Sequence, residues 1–201
     1  MRAVFLDRDG TINEDAPGNY VLSFEDFRLI DGAVDAIARL SKGGFLVFVV
    51  TNQATIGRGW TDLATFERIT GHLTAEVEAA GGKLAKVYFC PHRPEDRCAC
   101  RIPETGMIHQ ALAEHPGIDL AESFLVGDKV ADMELARRAG LRAIFVLTGH
   151  GASERATLEE WEIRPEAVEA TLADAADHIL RARGKGRMPG RGRATPSGGQ
   201  A

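Results

Sequence analysis

Ala3-Val4-Phe5-Leu6-Asp7-Arg8-Asp9-Gly10-Thr11 is the stretch whose reading decides the fold. Four apolar residues make a short buried strand, which runs directly into two aspartates two apart and then a glycine turn. A carboxylate at the C-terminal end of a buried strand contributes little to stability. It is well placed for chemistry, because open α/β sheets bind ligands at that edge.

The same pattern returns along the chain. Phe45 to Val50 is a run of six apolar residues ending in Thr51-Asn52-Gln53, and Phe124-Leu125-Val126 closes on Gly127-Asp128-Lys129. Val87–Phe89 and Ala143–Leu147 read as two further strands. Between them lie helical patterns. Residues 33–42 carry Ala33, Val34, Ile37, Ala38 and Leu40, ended by Gly43-Gly44. Phe66, Ile69, Leu73 and Val77 follow a cap at Thr61 or Asp62, Met107 to Leu112 mark a third helix, and residues 131–139 a fourth. Strand and helix alternate as in βα units, which predicts an α/β fold with a doubly wound parallel sheet and no stretch long enough for a separate cap domain. Residues 12–31 read as a loop with a turn at Gly18-Asn19, and residues 54–60 as another loop. Residues 155–180 read as a helix around 166–176 followed by a short edge strand over Asp177–Leu180.

The 201 residues suit one domain, expected over 1–180, with a disordered basic Gly/Pro-rich tail at 181–201. Six of the 24 basic residues lie in that tail without an acid. The remaining 18 face 29 acids, so residues 1–180 carry a net charge of about −11. So acidic a body argues against nucleic acid as a partner. The longest apolar runs fall far short of the ~18 residues of a membrane span, and the start has no signal-peptide pattern. The expectation is therefore a cytoplasmic monomer that does not bind membranes.

In a parallel sheet the strand ends share one edge, so residues some 120 apart meet. Asp7 and Asp128 can then hold one hard cation such as Mg²⁺, which takes oxygen ligands. Lys129, Arg58 and the Thr51 hydroxyl offer donors suited to a phosphoryl group. A second constellation is Cys90-x-His92-x5-Cys98-x-Cys100, a Cys₃His set of the composition that closes a structural zinc site. His72, His109, His115, His150 and His178 read as surface or packing residues.

The D-x-D-G-T, T-N and G-D-K-x-x-D stretches resemble the haloacid dehalogenase-like phosphotransferase superfamily. Over roughly residues 1–150 the chain is similar to its subfamily of bacterial heptose-bisphosphate and histidinol phosphatases. The resemblance implies a Rossmann-like phosphatase domain with a zinc-binding loop, and hydrolysis of a small sugar phosphate through an aspartyl-phosphate. The leading substrate it implies is the 7-phosphate of D-glycero-D-manno-heptose 1,7-bisphosphate, a precursor of lipopolysaccharide core. Histidinol phosphate or another small phosphomonoester is the alternative. Asp7 is then the nucleophile and Asp9 the general acid and base, with Asp7, the Asp9 carbonyl and Asp128 on Mg²⁺. Thr51 and Asn52 hold the phosphate, Lys129 supplies charge with Asp132 holding it, and Asp15, Arg58 and Arg101 face the substrate. Cys90, His92, Cys98 and Cys100 carry the zinc.

One departure stands out. The subfamily pattern Arg-Lys-Pro-x-Pro-Gly-Met is here Arg101-Ile102-Pro103-Glu104-Thr105-Gly106-Met107, so an isoleucine occupies the lysine position. Losing one transition-state donor costs ~3 kcal/mol, or 10²–10³ in rate. That motivates a third expectation, a weakened phosphatase that binds phosphate ligands.

Overall fold

The computed structural model describes residues 1–15 and 20–183. The Gly18-Asn19 turn and the basic tail from 184 onward lie outside these residues. Six strands form one parallel sheet: β1 Ala3–Leu6, β2 Leu46–Asn52, β3 Lys86–Cys90, β4 Phe124–Gly127, β5 Arg142–Val146 and β6 Ala167–Glu169. Their order is β3-β2-β1-β4-β5-β6. β1 is central, pairing Phe5 with Phe48 of β2 on one side and with Leu125 of β4 on the other. The connections reverse direction at β1, the switch point at which open α/β sheets leave a crevice.

Strand side chains alternate between faces, and each face has its own core. Val4, Leu6, Val47 and Val49 pack on one side with helices α1 (Ala33–Lys42), α3 (Leu63–Ala79) and α7 (Leu172–Arg183). Phe5, Phe48 and Val50 pack on the other with α4 (Gly106–Glu114), α5 (Val130–Ala139) and α6 (Gly151–Glu160). The Phe5 and Phe48 rings stack at 5.2 Å across neighbouring strands. Asp62 caps α3, its carboxylate accepting from the Thr65 N–H at 2.7 Å. No separate cap domain forms among the described residues, and none of their helices is long and apolar enough to cross a membrane.

Two expectations change. Residues 54–60 are not wholly loop, since Ala54–Gly57 makes a one-turn helix, α2, directly after β2. The C-terminal elements come in the reverse order to that expected: β6 first, then α7 through the region assigned to an edge strand. Leu172, Ala175, Ala176 and Ile179 are all fully buried at i, i+3, i+4 and i+7, which only a helix achieves. The three-residue β6 is too short to show a period, and its pairing with β5 defines it. The helix also continues to Arg183, past the expected end of the domain at 180.

Candidate active site and cysteine loop

β1, β2 and β4 end side by side, and a cleft of about 240 Å³ opens above them. Asp7, Asp9, Asp15, Thr51, Asn52, Arg58, Arg101, Ile102, Lys129, Asp132 and His150 all line it. Asp7 continues β1, its N–H donating to the Val126 carbonyl at 3.0 Å. Asp128 follows β4 and is fully buried. Two glycines make that burial possible. A Cβ at Gly10 or at Gly149 would stand 2.3 or 2.4 Å from an Asp128 carboxylate oxygen, and both residues have positive φ. Asp128 accepts from the His150 N–H at 2.8 Å and weakly from the Thr11 hydroxyl at 3.4 Å.

One oxygen each from Asp7, Asp128 and Asp132 lie within 4.8 Å of one another, all three residues being buried. Asp132 sits in the first turn of α5 and accepts from the Lys129 N–H at 3.0 Å. One ammonium faces this cluster. Lys129 Nζ donates to the Asp9 carbonyl at 2.9 Å and reaches Asp128 at 3.1 Å and Asp7 at 3.4 Å. Burial raises the Asp7 pKa from 3.8 to about 7, Lys129 opposing and Asp128 and Asp9 adding to the rise. Burial and the neighbouring Asp7 likewise push Asp132 well up. Burial works to lower the Lys129 pKa, but Asp7, Asp128 and Asp132 outweigh it and hold the ammonium charged. Three carboxylates against one cation leave an excess of negative charge. A hard divalent ion with oxygen ligands fits that set.

Asp9 differs from Asp7. Its carboxylate turns to the buried Arg8, which donates to it at 2.9 Å, and accepts from Asn13 at 3.0 Å and Gln53 at 2.8 Å. Burial would raise its pKa, yet the Arg8 charge and these bonds hold it below the usual carboxylate range. Gln53 also donates to the Thr51 hydroxyl at 2.9 Å, linking the ends of β1 and β2. Asn52 has both ends of its amide engaged on one residue: it accepts from the Ile102 N–H at 3.0 Å and donates to the Ile102 carbonyl at 3.2 Å. Ile102 is 6% exposed, packed with the core on the α4 side of the sheet while bordering the cleft. Asp15 lies 3.5 Å from His150 Nε2, and burial, with Asp128 and Asp9, raises its pKa against Lys129 and His150.

Arg8, Asn13 and His150 escaped the sequence reading as site residues, and Gln53 was read only as part of a polar strand end. His150 had a usable signal, since it follows the end of β5 on the same sheet edge that placed Asp7, Thr51 and Asp128. Arg8 and Asn13 had none, because nothing in the pattern says that an arginine beside a strand end is buried.

The cysteine loop runs on from β3. Cys90 Sγ lies 3.4 Å from Cys98 Sγ and 3.0 Å from Cys100 Sγ, and His92 Nδ1 lies 3.2 Å from Cys100 Sγ. All four donor atoms fall within 4.8 Å of one another, a set whose number and composition suit structural zinc. Burial would raise the Cys98 pKa, but thiol hydrogen bonds from Cys100 and Cys90 bring it down to about 7. Burial pushes the Cys90 thiol up. The loop carries Arg101, which donates to the His92 carbonyl at 3.3 Å, and so delivers Arg101 and Ile102 to the cleft wall.

The cleft is not the largest hollow on the molecule. One of about 1040 Å³ lies beside α5, β5 and α6, where Arg138 pairs with Glu134 and Arg142 with Glu166. Arg137 pairs with Glu134 there as well, whereas the buried carboxylates opposed by a single ammonium lie at the strand ends.

A HAD-hydrolase-like family model matches residues 99–175. The D-glycero-beta-D-manno-heptose-1,7-bisphosphate 7-phosphatase of Pseudomonas putida is 44% identical over 151 residues, covering 75% of this chain and 85% of that protein. The chain belongs to the HAD-like hydrolases. Among solved structures of this family, the D,D-heptose 1,7-bisphosphate phosphatase of Bordetella bronchiseptica, complexed with magnesium and phosphate, superposes with a TM-score of 0.82. It is 33% identical and covers 90% of this chain and 99% of its own. The Pseudomonas aeruginosa 7-phosphatase is 41% identical over 74% of this chain and 82% of its own length. This HAD-like hydrolase therefore has close likenesses along both its sequence and its fold.

Proposed function

We propose that this chain is a Mg²⁺-dependent phosphatase that removes the 7-phosphate of D-glycero-D-manno-heptose 1,7-bisphosphate. The observation that carries this reading is the buried set Asp7, Asp128 and Asp132 opposite the single ammonium of Lys129, at the edge where three strands end. The likeness to phosphatases of that substrate name supports the choice of ester.

In this reading the anionic Asp7 carboxylate attacks phosphorus while the bond to the sugar oxygen breaks, giving an aspartyl-phosphate. Asp9 gives a proton to the leaving sugar oxygen. Asp9 then takes a proton from the water that attacks phosphorus, releasing inorganic phosphate and restoring Asp7. Before its first step Asp9 must be protonated, so substrate entry has to loosen the Arg8, Asn13 and Gln53 bonds that now favour its anion. Thr51 and Lys129 direct donors at the transferring oxygens, where positioning and charge do most of the work. Asp7, Asp128 and the Asp9 carbonyl would hold Mg²⁺, which when bound offsets the charge of substrate and carboxylates. Asn52 acts through Ile102, holding the cleft wall. Cys90, His92, Cys98 and Cys100 would hold zinc that shapes the loop, leaving no ligand position open for water. The same proposal has the protein working as a monomer in the cytoplasm.

The test is phosphate release by the purified chain with Mg²⁺ on heptose bisphosphate, histidinol phosphate and simple sugar phosphates. Turnover is expected, fastest on the heptose bisphosphate. Absence of turnover on every ester, with or without Ile102→Lys, overturns the reading.

A further inference from the structure

Among the described residues three lysine and arginine side chains line the cleft, and two are already engaged. Lys129 faces Asp7 and Asp128, and Arg101 donates to the His92 carbonyl. Arg58 is different. Among the described residues it has no carboxylate or carbonyl partner, and its guanidinium lies 4.9 Å above the Trp60 ring. Stacking on an aromatic face orients a guanidinium while leaving its in-plane N–H donors free.

Trp60 is itself costly to display, at 50% exposed, and it meets Tyr20, 43% exposed, edge to face at 5.4 Å. Both sit on segments held in place by hydrogen bonds. The Trp60 N–H donates to the Thr55 carbonyl at 2.9 Å and the Arg58 N–H to the Ala54 carbonyl at 3.0 Å, anchoring them to α2. The Thr61 hydroxyl donates to the Leu22 carbonyl at 2.9 Å, joining the Tyr20 segment to the Trp60 segment. Tyr20 and Arg58 both line the cleft. An aromatic pair kept beside a polar cleft, with a cation laid on it and no anion among the described residues to meet it, is arranged for an anion that arrives with the ligand.

We propose that Trp60, braced by Tyr20, is a positioning residue that presents Arg58 to a second anionic group of the substrate. The cleft thereby selects doubly anionic esters over simple monoesters. This rests on the phosphatase reading for the first anion and assigns the second to Arg58. The guanidinium holds the group that is not hydrolysed, so its contribution appears in binding and not in the chemical step.

The test compares Trp60→Ala and Trp60→Phe on heptose 1,7-bisphosphate and on p-nitrophenyl phosphate. Trp60→Ala is expected to raise KM for the bisphosphate about five- to tenfold with kcat within about twofold, and to leave KM for p-nitrophenyl phosphate unchanged. Trp60→Phe keeps an aromatic face and should restore the bisphosphate KM to within about twofold. An equal effect on both esters, or none on either, overturns the proposal. A binding arm separates this from failure of the phosphatase reading. The chain has two tryptophans, so Trp161→Phe leaves Trp60 as the sole indole reporter. Quenching of its emission by the bisphosphate at concentrations about tenfold below those needed with p-nitrophenyl phosphate supports the assignment even without turnover, and equal concentrations sink it.

Discussion

The carboxylate cluster and the cysteine loop are both suited to a metal ion, and they are built in opposite ways. Asp7 meets Asp128 and Asp132 from more than 120 positions away along the chain; all three are buried and offer hard oxygens beside an open cleft. Cys90, His92, Cys98 and Cys100 come from eleven consecutive residues, are partly exposed except for the buried Cys90, and offer soft donors that close on one another. The first set gathers more like charge than it can neutralise, which favours chemistry at the expense of stability. The second trades an open ligand position for a fixed loop. Asn52 joins them: it leaves β2 beside the carboxylates and grips the backbone of Ile102, which the cysteine loop delivers.

The comparison breaks most cleanly at Asp7. Asp7→Asn removes the nucleophile while keeping the shape, and phosphate release is expected to fall at least ~10³-fold. Retained activity would mean that the cluster has another role. Zinc content should stay unchanged in the same preparation, since the two sites share no ligand.

Stability against pH sharpens the contrast next. With the Asp7 pKa raised to about 7, the folded chain keeps a proton between pH 4 and 7 that the unfolded chain has released. Folding is therefore favoured at low pH, and that advantage is lost as pH rises through 7, by at most ~4 kcal/mol from this group. Calorimetry without added Mg²⁺ should show Tm falling from pH 5 to 8. Saturating Mg²⁺ should flatten the fall, and an unchanged slope with Mg²⁺ would argue against a cation among these carboxylates.

Cys98→Ser should abolish the one zinc per chain expected by metal analysis. Losing a ligand present at about a hundred times its Kd lowers stability by about 3 kcal/mol. The effect should appear as a lower denaturant midpoint, with a KM increase as Arg101 and Ile102 lose their support. A full complement of zinc in the variant would exclude Cys98 as a ligand.

The smallest expected effect concerns Ile102. Ile102→Lys adds a second ammonium at the cleft wall and should raise kcat about tenfold, part of the 10²–10³ that one transition-state donor can supply. No gain would mean that Lys129 already meets the demand for charge at Asp7.

Legibility followed locality. Strands β1 to β5, helices α1, α3, α4 and α5, and the zinc-loop pattern could be read because their periods or spacings are complete within a few residues. The order of β6 and α7 could not: β6 has three residues, and only its pairing with Ile144, Phe145 and Val146 reveals it. Asp7, Thr51 and Asp128 were found by the rule that parallel strands end on one edge. His150, which obeys the same rule after β5, was read as a surface or packing residue because its type is so often incidental. Asn52 was read as a phosphate-holding residue; it lines the cleft, but its amide is engaged by two hydrogen bonds to Ile102, in a loop fifty residues away.

The sequence by itself determined that this is an α/β chain with aspartates at strand ends and a Cys₃His loop, because burial patterns and ligand spacings are written in neighbouring residues. Only the tertiary structure decided how the charges divide. It joined Asp9 to Arg8, set Lys129 between Asp7 and Asp128, enclosed Asp128 between Gly10 and Gly149, and laid Arg58 on Trp60. Such pairings depend on distances of a few ångströms across the fold, and Coulomb and hydrogen-bond energies are set at that scale.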